Sequence, residues 1–278
     1  MNIAIASGKG GTGKTTVAVN MALSLGDVQL IDCDVENPNG HLFLGKELEK
    51  VEPVNLIIPV IDKAKCTKCG KCSDFCRYNA LVTFKHDSLF FPEMCHGCGG
   101  CMMVCPEKAI TETTRPIGKI FTTTVGKMDF WSGLLNIGEP MATPVIKNLK
   151  SHIESSRSAL LDSPPGTACP VIETMSDANF VILVTEPTPF GLHDLKLSID
   201  VVRMLDIPFG VIVNRMGSGD DRVQMHCKAE EINLLMEIPQ SQEIASLYSK
   251  GIPFVTVMPE WKEKFMDLYD RISKEVGQ

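Results

Sequence analysis

The sequence predicts a doubly wound, mostly parallel α/β sheet interrupted by a small α+β insertion, and three observations carry that prediction. Short, wholly apolar runs alternate with helical patterns at both ends of the chain. A glycine-rich turn follows the first of these runs, and eight of the eleven cysteines crowd between Cys66 and Cys105. Wholly apolar strands are those covered on both faces by crossover helices, and 278 residues suffice for one such core and a small second module.

In chain order, Asn2–Ser7 and Val28–Asp32 read as buried strands on either side of a helix over Lys14–Leu25. The alternation breaks after Pro53. It resumes with strands over Ser158–Asp162, Asn179–Glu186, Pro208–Arg215 and Ile232–Pro239, separated by helices expected over 170–176, 189–205, 223–231 and 241–249. The interruption divides the chain into a discontinuous host domain, residues 1–61 and 116–278, and an insertion, residues 62–115, with a β-like stretch over 118–138 returning the chain to the host. Near the C-terminus, Trp261, Phe265, Leu268, Ile272 and Val276 form a helical stripe. The charges around it are mixed in sign, so the stripe is expected to pack on the core and not to hold a membrane surface.

A net charge of −7 without a general basic patch excludes broad nucleic-acid binding. The start of the chain passes from strand directly to glycine loop, unlike an export peptide, and no apolar run approaches the roughly 20 residues that span a bilayer. A cytoplasmic protein with no stable membrane insertion is therefore expected, its thiols kept reduced. Cys33 and Cys227, outside the dense block, read as small buried residues.

Gly8-x4-Gly13-Lys14-Thr15 has the spacing of a phosphate-binding loop, with a strand before it and a helix after it. In such a loop the backbone N–H groups of Gly8, Gly10, Gly11, Thr12, Gly13 and Thr16 turn toward phosphate oxygens. Lys14 reaches the terminal phosphates and Thr15 ligates Mg²⁺. Lys9 is a second lysine that phosphate binding alone does not require. "LIDCD" ends a strand with Asp32 and Asp34, and "LLDSPPG" ends another with Asp162 followed by Gly166; open α/β sheets bind ligands at such carboxyl ends. Each aspartate taken singly could cap a helix, but beside this loop the set favours nucleotide hydrolysis.

The cysteine block repeats Cys-x2-Cys-x2-Cys-x3-Cys at Cys66, Cys69, Cys72, Cys76 and again at Cys95, Cys98, Cys101, Cys105, an offset of 29 residues. Four thiolates suit either zinc or an iron–sulfur cluster. Structural zinc sites usually pair two Cys-x2-Cys knuckles, whereas three cysteines at successive two-residue gaps wrap one cluster and send the fourth to its neighbour. The spacing thus assigns Cys66, Cys69, Cys72 and Cys105 to one [4Fe–4S] cluster and Cys76, Cys95, Cys98 and Cys101 to a second. The block resembles bacterial two-cluster ferredoxins over its whole length, except that Arg77 stands where proline follows Cys105 in the second motif. Lys63, Lys65, Lys68, Lys71 and Arg77 surround the first motif, either offsetting nearby negative charge or offering a docking face to an acidic redox partner.

Outside the insertion, "KGGTGKTT", "DCDVENPN", "DSPPG" and "VIVNR" resemble, in order, the motifs of the deviant Walker A ATPases that include MinD, ParA and the nitrogenase iron protein. The resemblance implies a P-loop NTPase, MinD-like host with an inserted ferredoxin-like domain, binding ATP, Mg²⁺ and two [4Fe–4S] clusters. It implies that Lys9 reaches the nucleotide of the partner subunit in an ATP-bound homodimer. It further implies that Asp34 positions water or magnesium, that Asp162 holds Mg²⁺ through water, that Gly166 senses the γ-phosphate and that Asn214 reads adenine. Guanine readers carry an aspartate at the position of Gly217. Cys169 matches the offset of a cluster-holding cysteine in the nitrogenase iron protein, although a small buried residue at a helix start accounts for it equally. The expected function is ATP-gated electron transfer to an unidentified redox or metallocofactor partner protein. The alternatives are cluster assembly or delivery, whose related ATPases carry a C-terminal Cys-x-x-Cys not found here after Cys227, and MinD-like spatial organisation.

Overall fold

The computed structural model describes residues 1–85 and 87–277. Strands β1 (Asn2–Ala6), β2 (Val28–Asp32), β3 (Glu49–Ile61), β4 (Leu81–Thr83), β5 (Ser88–Phe90), β6 (Ile110–Val125), β7 (Met128–Leu135), β8 (Ser158–Asp162), β9 (Phe180–Thr185), β10 (Phe209–Met216) and β11 (Leu234–Pro239) alternate with helices. The helices are α1 (Lys14–Leu25), α2 (Lys71–Phe75), α3 (Gly100–Met103), α4 (Thr143–Lys150), α5 (Cys169–Met175), α6 (Pro189–Met204), α7 (Arg222–Ala229), α8 (Gln242–Ser249) and α9 (Pro259–Glu275).

Among the described residues, nine strands form one sheet in the order β11-β10-β9-β1-β8-β2-β7-β6-β3. It is parallel from β11 to β7, and β6 runs antiparallel to both β7 and β3. The expected doubly wound, mostly parallel α/β sheet is what forms. Ile3 and Ile5 of β1 point to a layer made by α1 and α9, with Val17, Phe265 and Leu268 fully buried. Ala4 and Ala6 point to the opposite layer, with Val145, Ile199 and Val223 from α4, α6 and α7. A strand buried on both faces has to be apolar throughout, which is why these strands stand out in the sequence. The C-terminal stripe is core: Trp261, Phe265, Leu268 and Ile272 are buried against α1. Cys33 and Cys227 are buried as well. No helix among the described residues is long and apolar enough to cross a membrane.

The parallel strand–helix alternation breaks here as expected, but the chain stays in the sheet. Residues 49–61 continue as β3 through Pro53 and Pro59, paired with β6 in the register Pro53↔Lys119 and Pro59↔Glu112. Proline cannot donate a ladder hydrogen bond, and β3 is the sheet edge, where one row of N–H groups has no strand to meet. The pair β3–β6 forms a ribbon whose last rung, Ile61↔Ile110, opens into the cysteine-rich segment. The strand leaving that segment is continuous from Ile110, so Arg115 lies within the sheet. Residues 62–109 contain the short pair β4–β5 and helices α2 and α3. Among the described residues, their buried cluster is small, Leu81 and Cys101 with Ile110, and Ile61, Phe90 and Met102 pack against it.

Candidate functional site

The glycine loop between β1 and α1 opens a cavity of about 550 Å³ at the carboxyl end of the sheet. Gly13, at φ 98°, ends the loop in a left-handed conformation that a side chain would strain, and a Cβ there would lie 2.3 Å from Asn214 Nδ2. Of the expected nucleotide residues, Gly10, Gly11, Gly13, Lys14, Thr15, Thr16, Asp34 and Asn214 line the cavity. Gly8 packs under it, where a Cβ would meet the Asp194 carbonyl at 2.3 Å. Gly166, at φ 98°, donates its N–H to the Ser7 carbonyl at 3.0 Å and so ties the 163–168 loop to the glycine loop.

Lys14 is buried and donates to Ser7 Oγ at 3.0 Å, while that hydroxyl donates to the Lys9 carbonyl at 2.6 Å. Burial pushes the Lys14 ammonium below its usual range, and the charges of Asp162 and Asp34 oppose the shift. Asp162 is buried, with the Thr15 hydroxyl beside its carboxylate but no well-formed hydrogen bond to either oxygen. Burial raises its pKa to about 7, against the pull of the Thr15 hydroxyl and Lys14 beside it. Asp34 is also raised by burial, with Lys14 opposing. Asp32, the register neighbour of Asp162, accepts from the backbone N–H groups of Asp34, Asn39 and Gly40, the last at 2.9 Å. It shapes the 34–40 loop and does not enter the cavity.

Two of the expected residues have partners no motif announces. Lys9 turns away from the cavity, its Nζ 3.2 Å from Glu186 Oε2, and Glu186 also holds Arg215. Asn214 donates its amide to the Thr12 carbonyl at 2.8 Å and accepts from the Arg215 N–H at 2.9 Å, fastening β10 to the glycine loop. Sequence reasoning did not single out Ser7, Glu186 or the far wall of the cavity, Gln240, Ser241, Ile244 and Tyr248. The only local signal for them is position: each of Ser7, Glu186 and Gln240 directly follows a parallel strand.

The eight cysteines of the insertion line two further cavities. One is bounded by Cys66, Cys69, Cys72 and Cys105 with Ile61, Thr83 and Ile110. The other is bounded by Cys76, Cys95, Cys98 and Cys101 with Pro59, Phe75 and Tyr78. The two repeats share a backbone path: Lys68 and Gly97 have φ 60° and 66°, and Gly70 and Gly99 have φ 81° and 72°. These left-handed residues turn the chain between successive thiols. Backbone N–H groups point at sulfur from Gly97 to Cys95 at 3.5 Å and from Ala109 to Cys105 at 3.3 Å. Burial raises the Cys101 thiol to about 11 and shifts Cys72 and Cys95 the same way. Among the described residues, no three His, Cys, Asp or Glu side chains stand together as a single-ion site. Lys63 and Lys65 pair with Asp87 and Asp62, and Arg77 lines the second cavity. Cys169 opens α5 and is exposed, so it is not a buried helix-start residue.

A glycine loop at the head of a doubly wound sheet, with a buried lysine and Asp34 on one cavity and buried Asp162 beside that lysine, defines a nucleotide-binding protein of the P-loop class. The chain belongs to the CobQ/CobB/MinD/ParA nucleotide binding domain family, whose profile matches residues 3–254. An uncharacterized protein of Methanocaldococcus jannaschii is 31% identical over 261 residues, covering 92% of this chain and 91% of its own. A protein of the same organism named iron-sulfur cluster carrier protein is 25% identical over 296 residues, covering 99% of this chain and 84% of its own. The fold is similar to that of the septum site-determining protein MinD complexed with Mg-ADP from Pyrococcus horikoshii, with TM-score 0.61, 23% identity and coverage of 99% and 97% of the two chains.

Proposed function

We propose that this protein hydrolyses ATP and carries two resident [4Fe–4S] clusters, and that nucleotide-driven closure of a homodimer gates electron transfer through them to a partner protein. The observation that carries the reading is the crossed sorting of the thiols: each cavity takes three cysteines from one repeat and the last cysteine of the other. That is the connectivity of two-cluster ferredoxins and not of paired zinc knuckles. A segment with so small an apolar core also needs a staple to hold its shape. The residues therefore fit the group, with Cys66, Cys69, Cys72 and Cys105 holding one cluster and Cys76, Cys95, Cys98 and Cys101 the other. When bound, the clusters supply one-electron chemistry.

At the nucleotide site, the orphaned oxygens of buried Asp162 beside Thr15 suit a hydrated Mg²⁺. Lys14 neutralises the terminal phosphates, the turned N–H groups of residues 10–16 cradle them, and Asp34 orients the attacking water from the cavity wall. Gly166, already bound to Ser7, follows the γ-phosphate. Asn214 lines the cavity with its amide against the glycine loop, and by the family resemblance it reads adenine. Lys9 completes the site of the second subunit. Closure is driven only to the extent that ATP binds the closed dimer more tightly than the open state, and a trans lysine on the γ-phosphate supplies that difference.

The test is anaerobic reconstitution followed by EPR and potentiometry without nucleotide, with ADP, and with a non-hydrolysable ATP analogue. A nucleotide-dependent shift supports gating; two clusters indifferent to nucleotide refute it. A second reading, cluster delivery, is favoured by the name of the M. jannaschii relative and by the exposure of Cys69 and Cys98. It predicts ATP-accelerated loss of clusters to an apo-acceptor, and clusters retained through many turnovers exclude it.

A further inference from the structure

Arg115 joins two places that the sequence keeps apart. It lies on β6 and makes a bidentate pair with Glu139, whose side chain is 3% exposed, the second contact at 3.1 Å. The same guanidinium donates to the Pro92 carbonyl at 3.3 Å, and that oxygen also accepts the N–H of Cys95 at 3.2 Å. Glu139 sits in the loop between β7 and α4. One end of that loop is fastened by Asn136, which donates its N–H to Ile117 and its amide to Pro116. The other end, Ala142, forms part of the nucleotide-cavity wall. The last residue of β7, Leu135, donates to the carbonyl of Val35, next to Asp34 in the loop that faces the nucleotide.

We infer that the Arg115–Glu139 pair is the joint through which nucleotide binding at the 34–39 loop resets the backbone that carries Cys95. This deepens the gated electron-transfer reading and rests on it for its purpose. One end of the 136–142 loop is hydrogen-bonded to β6 and the other lines the nucleotide cavity, and among the described residues its buried carboxylate pairs with Arg115 alone, so a shift of the loop carries Arg115 with it. Arg115 cannot move without altering the carbonyl it shares with Cys95. A lysine keeps the charge but not the fork that serves Glu139 and Pro92 together. Arg115 and Glu139 are positioning residues: neither lines the nucleotide cavity nor offers sulfur to a cluster.

The experiment is amide hydrogen exchange on the full chain, free and with Mg²⁺ and a non-hydrolysable ATP analogue, in the wild type, Arg115→Lys and Glu139→Gln, with thermal melts to verify folding. In the wild type the nucleotide should change exchange at residues 92–98 by about fivefold or more, the lower end of ordinary coupling between sites. Both variants should lose that response while keeping nucleotide affinity and protection of residues 8–16. A response that survives in either folded variant overturns the inference, as does a wild type whose glycine loop is protected while residues 92–98 are indifferent. Potentiometry separates this from the parent reading. A nucleotide-dependent potential that persists in the variants leaves gating standing and the joint refuted; exchange coupling without a potential shift does the reverse.

Discussion

Glu186→Gln should strengthen ATP-dependent self-association. In the isolated chain Lys9 is held in cis by Glu186 at 3.2 Å, with Lys9 about one-third exposed. If closure sends Lys9 to the nucleotide of the partner, that pair has to break in each subunit. A partly exposed ion pair contributes about 0.5–1 kcal/mol, so removing two of them lowers the cost of closure by about 1–2 kcal/mol. At 1.4 kcal/mol per decade the dimer dissociation constant should fall roughly 5- to 30-fold. Arg215, which shares Glu186, is 52% exposed and can turn to solvent. The assay is sedimentation equilibrium with a non-hydrolysable ATP analogue, alongside Lys9→Ala, which should bind ATP but neither dimerise nor retain most hydrolysis. A Glu186→Gln protein that associates no better than wild type would mean that Lys9 stays in cis, and a fully active Lys9→Ala monomer would refute the trans lysine altogether.

Asp162 makes ligand-free stability depend on pH. Unfolded, it loses its proton near 3.8, but folded only near 7; the unfolded chain therefore holds fewer protons across that window, and stability falls as pH rises through it. Asp162→Asn should reduce this slope, leaving the part that burial of the neighbouring Asp32 carboxyl contributes, and stabilise the ligand-free protein at pH 8 by about 2–4 kcal/mol, read by urea unfolding, while abolishing hydrolysis; an unchanged slope would show that Asp162 does not hold the buried proton. Gly13→Ala places a side chain at φ 98° and against Asn214. A left-handed alanine costs about 1–2 kcal/mol and the lost Asn214–Thr12 bond about 1 kcal/mol, so the unfolding free energy should drop by about 2–3 kcal/mol and nucleotide affinity should fall with it. For the thiols, Cys69→Ser and Cys105→Ser should erase the same cluster absorbance, and Cys76→Ser and Cys98→Ser the other, with nucleotide affinity intact in all four. Loss patterned by repeat, with Cys69 grouped with Cys76, would contradict the crossed assignment.

What the sequence determined by itself is what the chain encodes over short distances. The glycine loop from Gly8 to Thr15 is readable because its glycines and lysine act within one strand–turn–helix. The cysteine spacing is readable because each three-thiol wrap closes over seven residues. The parallel strands are readable because burial on both faces makes them continuously apolar. Tertiary structure decided the rest. Pro53 and Pro59 look like breakers until their strand is seen to lie at an edge. Asn214 and Thr12 meet across 202 residues, Lys9 finds its carboxylate just past the end of β9, and Arg115 reaches both Glu139 and the Pro92 carbonyl that Cys95 also uses. A single polar residue has no period or spacing to announce its partner; only the order in which strands assemble brings such pairs within reach, and that order belongs to the whole sheet.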